Sequence, residues 1–515
     1  MADLEAANED FQPSPPTTPE SRVDYNARKA ANDNVLQVVA SVSSGSNDNT
    51  DLNQAELGVQ KEAASSSGIH SVSQGVGEAT EDGGPSKIDY ATMSWWHTGI
   101  IMIAETVSLG ILSLPKALST MGFVPGVLII VLLGILSWYT GYVTYQVKQR
   151  YPAITSFADI FALWLGKPGR WFGEVAQNLL LIFIMAAHIV TFSVMLNVLT
   201  EHRLCTIAFM AVGAAVSFLL STPRTFKANS KASVFSCISI ATATLIAMIA
   251  IGIEKKGLHT SFAITPSPET SLGSACMSVS SIILAYNGHI AYPSLITEMR
   301  QPRDFPKALA LLITTMISLY LVVAVVIYYY AGQTVQSPAL GSASPLTAKI
   351  AYAIAIPTIL VAGVIAALVA AKQLYRHLWR RHSHVMREKS LRARASWFAV
   401  LAALYLLAWL MAESVPVFQQ LLGVIGALFG TWFALGFPAL FWFWMWWRGE
   451  AGGSGSGKAP EAIRRRSWRT WGLVALNAVI VVMSASICVL GMYGSLKAIV
   501  ENESDRRPFS CASNV

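Results

Sequence analysis

The chain has 515 residues, of which 53% are hydrophobic and only 13% are charged, and its formal net charge is +7. In an ordinary soluble domain about a quarter of the residues are charged, so this composition excludes one. Residues 1–93 contain 15 of the 30 acidic side chains and only five of the 37 basic ones. The basic excess therefore lies in the apolar remainder, where it indicates membrane topology and not nucleic-acid binding.

The first 92 residues are polar and contain few aromatic side chains. A segment of this composition cannot bury enough apolar area to offset the entropy lost on ordering, so residues 1–92 are predicted to form a disordered, acidic cytoplasmic tail. Ser14-Pro15 and Thr18-Pro19 are candidate sites for regulatory modifiers of this tail. No cleavable signal peptide is expected before the first apolar segment.

From His97 onward, apolar segments recur that are long enough to cross a bilayer as helices. Almost all of them lack charged residues in their middles. The sequence therefore predicts an all-α integral membrane protein with eleven transmembrane helices, near residues 97–118, 123–147, 172–200, 204–222, 232–253, 273–297, 308–331, 344–371, 395–412, 416–447 and 470–495.

Lysine and arginine fix the orientation of these segments. Alternate connections carry 24 of them, whereas the opposite set carries eight. Because basic residues concentrate in cytoplasmic loops, the N-terminus is predicted in the cytoplasm and the C-terminus outside. The alternation holds at every loop and supports the count of eleven.

Several connections carry further signals. Ser156 and Asp159 form a capping pattern that predicts a short cytoplasmic helix to Leu165. Residues 448–469 form a basic connection whose Gly/Ser run predicts flexibility, which separates the eleventh helix from the preceding ten. Residues 496–515 are the predicted extracellular tail, with a glycosylation sequon at Asn502.

The five cysteines show no paired or metal-ligand spacing, so neither a disulfide framework nor a metal site is expected.

The first apolar segment contains a carboxylate and a predicted helix break. Glu105 is the only carboxylate placed well inside the predicted hydrocarbon region, and it precedes Ser108, Gly110 and Pro115. Small residues support local unwinding, and proline cannot donate to the helix ladder. A charge and a helix break in one membrane segment are costly, and they indicate a path for a polar substrate or ion. The alternative is that Glu105 takes part in helix packing and that Gly110 allows a close contact between helices.

The sixth segment repeats this pattern. Gly110 to Pro115 and Gly288 to Pro293 both read Gly-x-x-x-x-Pro, at matching depth in antiparallel segments five crossings apart. Two interrupted helices at equivalent positions of two halves indicate an inverted-repeat transporter with a site near the bilayer midplane. The predicted core is residues 93–447, with repeats 97–253 and 273–447.

A site between two broken helices suits an α-amino acid. Unwinding frees N–H groups that attract a carboxylate and carbonyl groups that accept from an ammonium. The substrate's side chain would then project into a pocket. The candidate substrate-binding residues are Thr106, Ser108, Gly110, Ile111, Ser281, Tyr286, Asn287, Gly288 and Tyr292.

At these residues the chain resembles the amino acid/auxin permease family, particularly its fungal neutral amino acid transporters. The resemblance rests on Ser108 to Pro115, on Tyr286 to His289, and on the connection Glu298 to Lys307. It implies a five-plus-five fold like that of the bacterial leucine transporter, with an extra C-terminal helix. It also implies secondary active uptake of neutral aliphatic and aromatic amino acids, usually driven by protons in fungi. The family often has Gly-x-Gly in the first break, where this chain has Ser108-Leu-Gly110.

The coupling ion is expected to be a proton, carried by Glu105 or by His289. Burial favours the neutral form of a carboxyl group, and imidazole titrates near physiological pH. His188 in the third segment is expected to be a hydrogen-bonded packing residue. Sodium stays open, with Thr358 as one candidate ligand, and no other cofactor is expected.

Three other functions are alternatives to the symporter. The long tail would suit a transporter-like amino acid sensor. An enzyme is not expected, because no catalytic motif is present, and no filter-like segment indicates a channel. The plasma membrane is the expected location, with the vacuolar membrane as the alternative.

Overall fold

The computed structural model describes residues 93–107, 110–223, 227–254, 262–379, 391–415, 417–448, 468–501 and 508–514. The predicted tail 1–92 and nearly all of the predicted linker 448–469 lie outside these residues, and so does Asn502. All statements on structure below refer to the described residues.

The first half of the chain consists of helices joined by short connections. A break separates the first two helices, and Gly166, at φ 68°, bends the long fourth helix. These helices are α1 (Trp95–Thr106), α2 (Gly110–Met121), α3 (Phe123–Arg150), α4 (Phe157–Thr200), α5 (Thr206–Leu220) and α6 (Lys227–Glu254).

The second half repeats the break in its first crossing and ends in a long helix. The helices are α7 (Leu272–Ala285), the short α8 (Tyr292–Thr297), α9 (Phe305–Ala331), α10 (Pro345–Leu378), α11 (Leu391–Ser414), α12 (Phe418–Ile425), α13 (Phe437–Trp447) and α14 (Trp468–Glu501). Between α12 and α13 the chain stays helical through two π-helical turns, Gly426–Gly430 and Trp432–Gly436.

The helices match the predicted segments in order. Eight helical stretches of the described residues are long and apolar enough to cross a membrane, and α1 with α2, bent by 59°, is a ninth. A predicted count of eleven additionally requires the shorter α5 and the interrupted pair α7 and α8, so that count stays a prediction. The chain is an all-α, multi-pass membrane protein with a leucine-transporter-like inverted-repeat core.

Helix packing joins the two halves of the chain. The helix α10 packs against α4 and α6, whereas α9 packs against α1, α2 and α3. The helix α7 lies between α2 and α14. Large apolar side chains remain exposed along the outer helices, for example Leu132 on α3 and Val482 on α14, as expected for a surface that faces lipid.

The short helix predicted from Ser156 to Leu165 is present at the start of α4. The Ser156 hydroxyl accepts from the Asp159 N–H, and the Asp159 carboxylate accepts from the Ser156 N–H. The positive φ of Gly166 then separates this helix from the membrane-spanning part. The capping pattern in the sequence was therefore sufficient to locate this element.

One expectation is wrong. Cys205 and Cys511 form a disulfide bond, although no disulfide was expected. The two cysteines are 306 residues apart, and only the folded chain brings them together. Glu413, which lies between the predicted segments 395–412 and 416–447, is the penultimate residue of α11 and is 1% exposed, so the structure adds a buried carboxylate that the sequence did not indicate.

Candidate functional site at two helix breaks

The first break lies between α1 and α2. Thr106 ends α1, and its hydroxyl donates to the Met102 carbonyl oxygen at 2.7 Å. Gly110 begins α2, and its carbonyl oxygen accepts from the Ser113 hydroxyl at 2.8 Å. Ser108, a predicted substrate-binding residue, falls in the break and lies outside the described residues.

The second break lies between α7 and α8. The helix α7 ends at Ala285, and a turn through Asn287 leads into one 3₁₀ turn, His289–Ala291. Carbonyl groups freed at the end of α7 are held by neighbouring helices: the Tyr320 hydroxyl donates to Ala285 at 2.8 Å, and the Ser137 hydroxyl donates to Tyr286 at 3.4 Å. The break is thus supported by α9 and α3.

The two breaks are in direct contact, which the sequence repeat predicted only indirectly. A Cβ atom on Gly110 would lie 2.6 Å from the Cα atom of Ala285. A Cβ atom on Gly288 would lie 2.8 Å from the Thr106 hydroxyl oxygen and 3.4 Å from the Tyr292 hydroxyl oxygen. Because real Cβ atoms do not approach so closely, glycine at both positions is what lets the unwound segments meet.

Polar atoms without a hydrogen-bonding partner collect on the second break. They are buried, and they comprise both amide atoms of Asn287, the Nδ1 atom of His289 and the hydroxyl of Tyr292. Buried polar groups in proteins are nearly always hydrogen-bonded, and an unsatisfied one costs about 1–3 kcal/mol. Four such atoms within six residues make the second break a candidate site for a polar ligand or an ordered water.

The contacts of His289 define its protonation when the ring is neutral. Its Nε2 atom lies 3.1 Å from the Ser137 carbonyl oxygen and 3.0 Å from the Thr140 hydroxyl. Because a carbonyl can only accept, Nε2 carries the hydrogen. The Nδ1 atom is then an unpartnered acceptor, able to take a proton or a hydrogen bond.

Glu105 lies on α1 one residue before Thr106 and is half-buried. Its carboxylate is within electrostatic range of the Tyr292 hydroxyl. Among the described residues no basic side chain forms an ion pair with it. The Glu105 carboxylate thus lies on one side of the contact between the broken helices. The His289 Nδ1 atom and the Asn287 amide lie on the other side.

Residues 91–497 match the family described as "Transmembrane amino acid transporter protein". The chain belongs to this family. It is 32% identical over 433 residues to the "N amino acid transport system protein" of Neurospora crassa, covering 82% of this chain and 88% of the relative. It is also 30% identical over 363 residues to a "Transmembrane transporter" of Gibberella moniliformis, covering 69% and 76%.

The fold is also found among solved structures. A nucleobase-cation-symport-1 family transporter, in a closed conformation with bromovinylhydantoin bound, superposes with a TM-score of 0.50 at 12% identity. The match covers 79% of this chain and 91% of that one. At this identity the likeness concerns the fold alone. With its relatives named as transporters, this amino acid transporter family member is a membrane carrier and not an enzyme.

Other predicted substrate-binding residues of this family member are engaged away from the break. The Tyr286 hydroxyl donates to the Ile130 carbonyl oxygen of α3 at 3.1 Å. The Ser281 hydroxyl accepts from the Gln419 amide at 3.3 Å and donates to Met277. The structure therefore brings together Glu105, Thr106, Gly110, Asn287, Gly288, His289 and Tyr292, with Ile111 buried beside Gly110.

Two further candidates bind helices elsewhere. The His188 Nδ1 atom lies 2.8 Å from the Ile359 carbonyl oxygen, which joins α4 to α10. The Thr358 hydroxyl donates to the Ser236 carbonyl oxygen of α6. Both side chains serve helix packing in this state of the protein.

The side chains that support the site were not among the predicted residues. Ser137 and Thr140 hold His289, and Gln419 joins Ser281 to Ser337, whose hydroxyl donates to Gln419 at 2.7 Å. The available signal was a set of polar residues inside apolar segments. Their partners are more than 80 residues away in sequence, so the pairing itself was not readable.

Proposed function

We propose that this protein imports neutral amino acids across the plasma membrane by proton symport. It moves between outward-open and inward-open states around the two breaks. The observation that carries this proposal is the group of buried, unpartnered polar atoms at the contact between the breaks. Membership of the amino acid transporter family and the name of the Neurospora crassa relative support the substrate class.

The chemistry of the site favours a zwitterion with an uncharged side chain. The first turn of α2, which begins at Gly110, offers backbone N–H groups to a carboxylate. The Asn287 oxygen and carbonyl groups near the break offer acceptors to an ammonium. Among the candidate residues only Glu105 and His289 can carry a charge, and both are the proposed proton carriers. No further charged group is left to pair with a charged side chain of the substrate, which favours a neutral one.

Glu105 and His289 are the proposed proton carriers. A carboxylate on α1 and an acceptor nitrogen on the second break face the place where the two halves meet. Protonation of either group changes the charge at this contact and thereby the relative free energies of two conformations. In a low-dielectric site such a change is large compared with thermal energy.

The proposed orientation places the N-terminus in the cytoplasm and the C-terminus outside. The distribution of lysine and arginine supports it. The bond between Cys205 and Cys511 adds a second line of support, because disulfides persist in oxidising compartments. Both cysteines belong to segments on the proposed outer side.

The test is concentrative uptake of a labelled neutral amino acid in intact cells from about pH 5 to about pH 8. The native chain is compared with Glu105→Gln and with Glu413→Gln, which removes a buried carboxylate near the end of α11, far from the breaks in sequence. We expect accumulation by the native chain to increase at acid pH. Glu105→Gln should lose that dependence, and Glu413→Gln should keep it.

Each alternative predicts a different result. Uptake that needs sodium and ignores pH would replace the proton with sodium as the coupling ion. Equal pH dependence in all three proteins would assign Glu105 to structure and direct the same test to His289→Gln. Binding without accumulation would favour an amino acid sensor, and a signal confined to vacuolar vesicles would change the proposed location.

A further inference from the structure

The C-terminal residues 508–514, named here the strap, are docked at one end of the helix bundle. Cys511 is bonded to Cys205, which is the residue before α5. The Thr206 hydroxyl donates to the Ala512 carbonyl oxygen at 2.7 Å, and the Phe509 N–H donates to the Glu413 carbonyl oxygen at 3.3 Å. The strap therefore joins the ends of α5 and α11.

Asn514 extends this docking into the bundle. It is 5% exposed, and its amide donates to the Ser193 hydroxyl at 2.7 Å while its oxygen accepts from the Asn197 amide at 2.8 Å. Ser193 and Asn197 are themselves buried. Ser193 lies seven residues before the end of α4, about 10 Å below it at the rise of an α-helix. Asn514 thus occupies a built polar site on α4.

The helix that leads into the strap is fixed to a different part of the protein. A Cβ atom on Gly494 of α14 would lie 2.1 Å from the Gly273 carbonyl oxygen of α7. A Cβ atom on Gly491 would lie 3.2 Å from the Cys276 carbonyl oxygen. Small residues at such positions allow close helix contact in a membrane. The helix α14 is therefore held against α7, the half-helix that ends at the second break, and the two helices should move together.

We propose that the strap is a built-in latch that limits how far α7 separates from α4, α5 and α11 on the outer side. The disulfide supplies the covalent tether, and Asn514 supplies the reversible contact. The proposal rests on the proposed transport function, because only alternating access requires these groups of helices to separate. Loosening the strap should shift the population of states towards the outward-open one.

The disulfide is tested first, on the native protein. A maleimide reagent that adds a fixed mass per thiol is applied to the denatured protein with and without prior reduction. Reduction should expose two more thiols than the three free cysteines, Cys237, Cys276 and Cys488. An unchanged count after reduction would overturn the latch at this step.

Opening is measured by the labelling rate of Lys116→Cys with a membrane-impermeant thiol reagent, after the three free cysteines are replaced by serine. Lys116 is half-buried on α2. The strap is released in two ways, by Cys205→Ser with Cys511→Ser and by Asn514→Ala. The matched control is Asn477→Ala, which removes a buried amide nearer the start of α14, away from the strap.

We expect each release to raise the labelling rate about tenfold, the change in an equilibrium constant that ~1.4 kcal/mol produces. The control should stay near the parent rate. Equal rates for the parent and both released proteins would overturn the latch. If the cysteine pair fails to reach the membrane, Asn514→Ala, which keeps the disulfide intact, decides the outcome by the same comparison of rates.

The labelling assay needs no substrate, so its outcome is separate from that of the uptake assay. Faster labelling after release, in a protein that accumulates no amino acid, would retain the latch and remove the proposed transport function. Normal uptake with unchanged labelling would retain the proposed transport function and remove the latch.

Discussion

Gly110→Ala tests whether the contact between the two breaks is required. The added Cβ atom would lie 2.6 Å from both the Cα and Cβ atoms of Ala285. Ordinary contacts between such carbons are about 3.5–4.0 Å, so α2 and the end of α7 must move apart by about 1 Å. Overpacking of this kind costs about 1–3 kcal/mol, only partly offset by the better helix propensity of alanine.

A free-energy cost of this size should be easier to detect in the rate of transport than in the unfolding midpoint. If the misplaced contact raises the barrier or lowers the population of the productive state by about 1.4 kcal/mol, uptake falls about tenfold. The assay is initial uptake normalised to protein at the cell surface, together with the thermal unfolding midpoint of the purified protein. We expect a loss of uptake of about tenfold or more, with a midpoint lowered by a few degrees.

The matched control is Gly472→Ala on α14, where an added Cβ atom meets nothing within 4 Å. It should leave uptake unchanged and keep or slightly raise the midpoint, because alanine is the better helix former. The reasoning is refuted if Gly110→Ala and Gly472→Ala both transport as the native chain does. In that case the contact with Ala285 yields freely and does not define the site.

Two further predictions concern the supports of the fold. Tyr320→Phe removes the donor to the Ala285 carbonyl oxygen and should lower the free energy of unfolding by about 1–3 kcal/mol, measured by denaturation in detergent; no change would mean that water replaces the hydroxyl. Lys148→Met removes the cation that donates to two carbonyl oxygens of the following loop, and its unfolding midpoint should fall by more than that of Lys307→Met, which breaks only a surface ion pair; equal midpoints would contradict this role.

The candidate site was only partly readable from the sequence. Glu105, Gly110, Gly288 and His289 were found because a charge, two glycines and an imidazole stand out in apolar segments. Tyr286 was chosen by the same logic, yet its hydroxyl binds α3. The direction of a side chain depends on which helix lies opposite, and no local pattern specifies that.

The sequence by itself determined the class of the protein and the order of its elements. Segment length against bilayer thickness, the periodic absence of charge, and the Gly-x-x-x-x-Pro repeat are local or regularly spaced features, which suffice to place helices and breaks. Only the tertiary structure decided the contact of Gly110 with Ala285, the bond between Cys205 and Cys511 and the burial of Asn514. Each joins residues more than 170 positions apart, and such pairings follow from the packing of whole helices, which no single segment encodes.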